Sequence, residues 1–213
     1  MPLKKAISME TLLEKKFDLL PLSKRWREFL GAPECTGSWF VYGESGHGKT
    51  SFLMLLAKEL ARHRRVAYNT LEEGARKSMQ DLVSENNMKE VSSRFVVLDR
   101  ESMEDLDKRL QRQRSPGVVI IDSAQYAFLT KRSYKSLVSN HPKKLFIFSS
   151  HANGKDPVGA IGRDILFDAD IKIRVEGFKA FATSRVKRGI VPTPFVIWPQ
   201  GAKDYWDRKK EEK

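Results

Sequence analysis

The residues best suited to chemistry are GESGHGKT, Gly43 to Thr50, which fit the spacing G-x-x-x-x-G-K-[ST] at every fixed position. Glycines at 43, 46 and 48 let the backbone bend sharply and aim several N–H groups into one concavity. The partial positive charge at the start of a following helix points to the same place. Lys49 can set an ammonium against the outer phosphates of a triphosphate, and Thr50 can offer its hydroxyl to Mg2+, which keeps several waters when bound. The cradle comprises Gly43, Glu44, Ser45, Gly46, His47, Gly48, Lys49, Thr50 and Ser51, and its expected ligands are ATP and Mg2+. A glycine turn with an incidental lysine is the bland alternative. The flanks argue against it: Ser38 to Tyr42 reads as a short buried strand, and Ser51 to Ala61 as a helix striped by Phe52, Leu56 and Leu60.

Cleaving a phosphoanhydride needs a second acid near the cation and a group that orients water. VVIIDS places Asp122 at the end of an apolar strand, where open α/β sheets bind ligands; its plainer role is to cap the next element. Ser123 follows, so the water-orienting carboxylate must come from elsewhere. In VAYNTLEEG, Glu72 and, second, Glu73 follow a neighbouring strand and are the expected base; the alternative is two acids that start a helix. LFIFSSHANG ends another strand in Ser149, Ser150 and His151, any of which would lie near the terminal phosphate. His151 is the expected contact to the terminal phosphate, although a histidine at a strand end is more often structural.

These groups must be positioned by elements that alternate along the chain. Strand segments at Arg65–Asn69, Arg94–Leu98, Val118–Ile121 and Leu145–Phe148 are separated by helical segments at Ala75–Met88, Met103–Gln113 and Tyr134–Val138. Such alternation implies an α/β fold with a mostly parallel central sheet and helices on both faces. Beyond Asp170, Ile171–Val175, Phe178–Thr183 and Phe195–Trp198 read as antiparallel strands. Residues 1–30 read as a helical extension, with Leu13, Phe17 and Leu20 on one face and Leu22, Trp26, Phe29 and Leu30 on another. Residues 31–200 form the core and 201–213 a charged tail, fraying from Asp207 to Lys213.

The 213 residues suit one domain with a full core. No apolar run is long enough to cross a bilayer, and the N-terminus does not read as a secretion signal. Cys35 is the only cysteine, which fits a reducing cytosol and excludes a cysteine-built zinc site. The net charge of +12 favours polyanionic partners, nucleic acid first. Short basic clusters stand at Arg62/Arg64/Arg65, Lys131/Arg132/Lys135, Lys143/Lys144 and Arg185/Lys187/Arg188.

From Leu30 to Trp198 the chain resembles the RecA-like P-loop ATPases, in particular the RadA, KaiC and DnaB-helicase branch. The carriers are FLGAPECTGSWFVYGESGHGKTS, NTLEE, VVIIDSAQ, the FSSHANGKD segment with the strand after it, and SRVKRG, in that order. The resemblance implies ATP held between protomers of a ring or filament, with Arg188 and Lys187 (or Arg185) reaching the neighbour's phosphoryl group in trans. It implies two loops facing single-stranded DNA without reading its bases. One follows Asp122 and holds Lys131, Arg132 and Lys135; the other spans 153–163 and holds Lys155 and Arg163. It also implies a minimal core serving DNA replication or recombination. Many relatives carry Gln at the position of His151, and the basic cluster departs from their Lys-x-Arg spacing. A KaiC-like regulatory ATPase acting on proteins is the alternative. A small-molecule kinase is a third reading, but no arginine-rich lid or acidic acceptor pocket stands out.

Overall fold

The computed structural model describes residues 6–184 and 193–211. In chain order the elements are α1 (Met9–Glu14), α2 (Lys24–Leu30), β1 (Gly37–Gly43), α3 (Lys49–Ala61), β2 (Val66–Thr70), α4 (Lys77–Glu85), β3 (Phe95–Asp99), α5 (Met103–Gln111), β4 (Val118–Asp122), α6 (Lys131–Asn140) and β5 (Leu145–Asn153). There follow β6 (Asp156–Pro157), α7 (Gly159–Asp168), β7 (Ile171–Glu176), β8 (Lys179–Ser184), β9 (Phe195–Val196) and α8 (Pro199–Glu211).

Among the described residues the strands form one sheet in the order β3-β2-β4-β5-β1-β7-β8-β9, with β6 paired onto β5. Pairing is parallel from β3 through β7 and antiparallel for β7–β8 and β8–β9. Side chains alternate across the sheet. Trp39, Val41, Tyr68, Ile120 and Ile147 join α2 and α3 in one apolar layer, while Phe40, Ala67, Ile121 and Phe148 join α5, α6 and α7 in the other. Burial on both faces explains the near-continuous apolar runs of the central strands. The order matters for the site. β1 lies beside β5, and the chain leaving β1 passes over β5 and β4 to reach β2. That reversal opens a crevice at the carboxyl ends of β1, β4 and β5.

Several expectations are corrected. The helical extension is confined to α1 and α2 among residues 6–30, and the segment before Pro21 is helical only to Glu14. α1 is short and exposed; Leu13 within it and Phe17 beyond it both face solvent. Leu20 is buried instead through a backbone bond to Pro33 O at 2.9 Å, whereas Leu22, Trp26, Phe29 and Leu30 are core as expected. Trp26 stacks on Phe195 with ring centroids 4.3 Å apart. The helix expected over 75–88 stops at Glu85, before left-handed Asn87. The segment expected as a DNA-facing loop at Lys131, Arg132 and Lys135 is helix α6, started by a capping box between Thr130 and Ser133. Arg163, expected on the second loop, sits in α7. The tail expected to fray is helix α8 as far as Glu211. No described helix is long and apolar enough to cross a membrane.

Candidate active site

β1 delivers Gly43 to the crevice, between β5 and β7. A Cβ on Gly43 would lie 2.3 Å from Val175 O, so only glycine permits β7 to approach this closely. Gly48 has φ of 91° and precedes the first residue of α3, a backbone that glycine adopts without strain. The 13-residue helix α3 therefore starts at Lys49 with its free N–H groups and positive end facing the cleft.

The cleft has a volume of about 360 Å³ and is lined by Glu44, Ser45, Gly46, Gly48, Lys49, Thr50, Ser51, Glu72, Glu73, Asp122, His151 and Phe178. Lys49 is 8% exposed, and among the described residues its ammonium has no ion pair and no hydrogen-bond partner. A buried cation without a counter-charge is costly, and an anion in the cleft removes that cost.

Asp122 stands opposite. Register places it beside Thr70 of β2, and the Ile121–Phe148 pairing brings Ser149 of β5 level with it. Tyr68 Oη donates to Asp122 Oδ2 at 2.5 Å, and Ser149 Oγ donates to Oδ1. Burial pushes the Tyr68 hydroxyl well above its ordinary pKa, and the Asp122 charge adds to that, so Tyr68 remains a donor. Each carboxylate oxygen keeps acceptor capacity after one such bond. The Asp122 carbonyl accepts from Leu71 N at 2.7 Å and Glu72 N at 3.3 Å, which ties the two strand ends together.

Glu72 and His151 meet: His151 Nε2 lies 2.9 Å from Glu72 Oε2. Glu73 also lines the cleft, but its Oε2 accepts from Ser78 Oγ at 3.0 Å. Arg100 Nη2 donates to the carbonyls of Glu72 at 3.2 Å and Glu73 at 2.9 Å, holding this corner from outside. Glu44 Oε1 accepts from Gly154 N at 2.7 Å, linking the cradle to the loop after His151.

The structure thus brings Lys49, Thr50, Glu72, Glu73, Asp122 and His151 to one cleft. His47 turns away, its ring against Tyr205 of α8 at 5.2 Å between centroids. Arg185, Lys187 and Arg188 lie outside the described residues. Three roles were not expected: Tyr68 and Ser149 hold Asp122, whereas Ser149 was expected near the terminal phosphate, and the Phe178 amide donates to His47 O at 3.1 Å. A strand's own residues do not state what faces them across the sheet. The Gly177-Phe178 turn was the one available sign of the third.

A triphosphate with its cation fits these residues. The glycine cradle, the helix start and the buried Lys49 suit phosphate oxygens. Thr50 and Asp122 suit a Mg2+ that draws its other ligands from phosphate and water. Among the described residues, no group of three His, Cys, Asp or Glu forms a metal site independent of such a ligand.

No protein-family model matches the chain, and no curated protein matches it either. Among solved structures, it is similar to the flagellar accessory protein FlaH from Methanocaldococcus jannaschii, with a TM-score of 0.60 and 17% identity over 84% of this chain and 93% of that one. At that identity the likeness concerns the fold, which is RecA-like: a mostly parallel α/β sheet with antiparallel C-terminal strands.

Proposed function

We propose that this chain is a Mg2+-dependent ATPase. The observation that carries the reading is the buried Lys49 ammonium, unpaired among the described residues and facing Asp122 and Glu72 across one cleft. Backbone N–H groups from Gly46 to Thr50 bind the phosphates, and Lys49 balances their charge. Thr50 and Asp122 would hold the Mg2+, which supplies charge neutralisation across the phosphate oxygens when bound. Glu72 orients the attacking water and accepts its proton, while His151 fixes the Glu72 carboxylate through the 2.9 Å contact. Calorimetry and turnover with Mg-ATP test this together. Lys49→Ala is expected to give no heat of association. Glu72→Gln is expected to bind normally and to lose at least about a hundredfold in turnover, the usual scale of a general base. Normal turnover in Glu72→Gln removes it from that role.

The reading extends to an oligomer with ATP at subunit boundaries, associated with DNA replication or recombination. Support comes from the +12 charge and the family resemblance. A second reading, an accessory ATPase acting on protein partners, is favoured by exposed apolar side chains: Phe128 is 90% and Phe167 84% exposed. The solved neighbour is itself named an accessory protein. ATPase rates with and without single-stranded DNA, across a salt series, separate the two. Stimulation that fades with salt supports DNA; indifference supports a protein partner.

A further inference from the structure

The amino ends of the parallel strands carry a second concavity, on the opposite rim of the sheet from the ATP cleft. The pairing of Val66 with Phe95 and with Val118 lines up the starts of β2, β3 and β4. Arg65 and Arg94 immediately precede β2 and β3, and the segment leading into β4 carries Arg112 and Arg114. Together they line a groove of about 360 Å³ that also holds Arg109, Ser93, Gln113 and Ser115, and no acidic residue lines it.

The charge there is largely uncompensated. Arg109 is neutralised by Glu101, which it grips at 2.6–3.0 Å through Nε and Nη2. Arg65 and Arg94 donate only to the carbonyls of Arg114 and Arg62, at 3.0 and 2.6 Å, so they are held in place without losing charge. Among the described residues, no carboxylate pairs with Arg65, Arg94, Arg112 or Arg114. Behind the groove, Lys144 Nζ donates to Ser115 Oγ and Pro116 O, both at 2.8 Å, and adds a further cation. The contrast with α6 is direct: Lys131 is paired with Asp164 and Lys135 with Asp168.

We propose that this arginine groove binds the phosphodiester backbone of single-stranded nucleic acid. One phosphate cannot meet four guanidinium groups spread over three chain segments, whereas a linear polyanion presents a charge to each in turn. Arginine also stacks on unpaired bases, and Ser93 and Gln113 donate to backbone oxygens without selecting sequence. The inference rests on the nucleic-acid reading of the partner but not on ATP turnover. It places the contact on the rim opposite the ATP cleft instead of on the loops near it.

The test is fluorescence anisotropy of a labelled 20-nucleotide oligo-dT against the full chain, over a salt series. Arg112→Gln/Arg114→Asn removes two groove charges whose side chains form no hydrogen bond or ion pair among the described residues, and Asn suits the left-handed φ of 58° at Arg114. Lys24→Gln/Lys203→Gln removes the same charge from exposed sites elsewhere. The groove variant is expected to bind at least about tenfold more weakly near 0.1 M salt. Its log–log salt slope should fall by roughly 0.7 per arginine. The control should shift by less than about twofold, and basal ATPase should stay unchanged in both. Equal losses in both variants, or none in the groove variant, overturn the groove assignment alone. A wild-type chain that ignores oligo-dT, or prefers phosphatidylserine vesicles, overturns the nucleic-acid reading with it.

Discussion

Asp122 is held by two hydroxyls from the strands on either side, and this arrangement sets what the carboxylate can do. Tyr68 reaches it from β2 and Ser149 from β5, so its two oxygens are fixed before any cation arrives. Partners behind a metal ligand typically contribute about 10–100-fold in metal affinity. Tyr68→Phe keeps the ring in the core and removes only the donor. The expected result is a Mg2+ requirement for ATPase raised by about tenfold, with nucleotide binding in the absence of Mg2+ unchanged. An unaltered Mg2+ titration would leave Tyr68 a packing residue. The residues that bear motifs were legible in the sequence: Lys49, Thr50 and Asp122 follow from spacing and from an apolar run. Tyr68 and the bond from Ser149 to Asp122 were not, because cross-strand register depends on how separate strands pair and is not written within either one.

The β7–β8 hairpin and α8 act together as a buttress under the phosphate cradle. Gly177 and Phe178 turn the hairpin with φ of 50° and 57°. A Cβ on Gly177 would fall 2.0 Å from the Tyr205 ring, and Trp206 Nε1 donates to Gly177 O at 3.1 Å. Tyr205 in turn meets His47 of the cradle. The sequence showed this helix only as charge. Its apolar contacts are few, the helix is mostly polar, and Pro199 at its first position was the overlooked start signal. Glu176 fastens the assembly. Burial alone would raise its pKa, but hydrogen bonds and ion pairs with Lys209 and Arg174 outweigh that and hold it at about 2, against an ordinary 4.5. A depressed carboxylate contributes stability that is complete above the unfolded pKa and is lost as pH falls through the folded one. Wild type is therefore expected to melt above Glu176→Gln at neutral pH, with the difference closing as pH falls from 4.5 to 2. A difference that stays constant over that window would show that Glu176 does not fasten α8 by charge.

At the scale of the molecule, alternating apolar strands and amphipathic helices announced the parallel sheet, and the crevice follows from its strand order. Contacts between copies of the chain are a different matter, because no pattern within one chain states which surface of a neighbour it meets. In the oligomer we propose, the cradle of one subunit would meet the basic finger of the next, a head-to-tail arrangement that closes into a ring or extends as a filament. A mixing experiment tests that arrangement. Lys49→Ala chains have a defective cradle and an intact finger; Arg188→Ala chains have the reverse. Each alone should be nearly inactive. When they assemble at random in equal amounts, about a quarter of the boundaries join an intact cradle to an intact finger. Activity is thus expected to return to about a quarter of wild type, from two parents that have almost none. No recovery on mixing, in samples shown to exchange subunits, would mean that Arg188 does not complete a neighbour's site. An active Arg188→Ala parent would pass the finger role to Lys187 or Arg185, and the same mixing with those variants would identify which of the two reaches across the boundary.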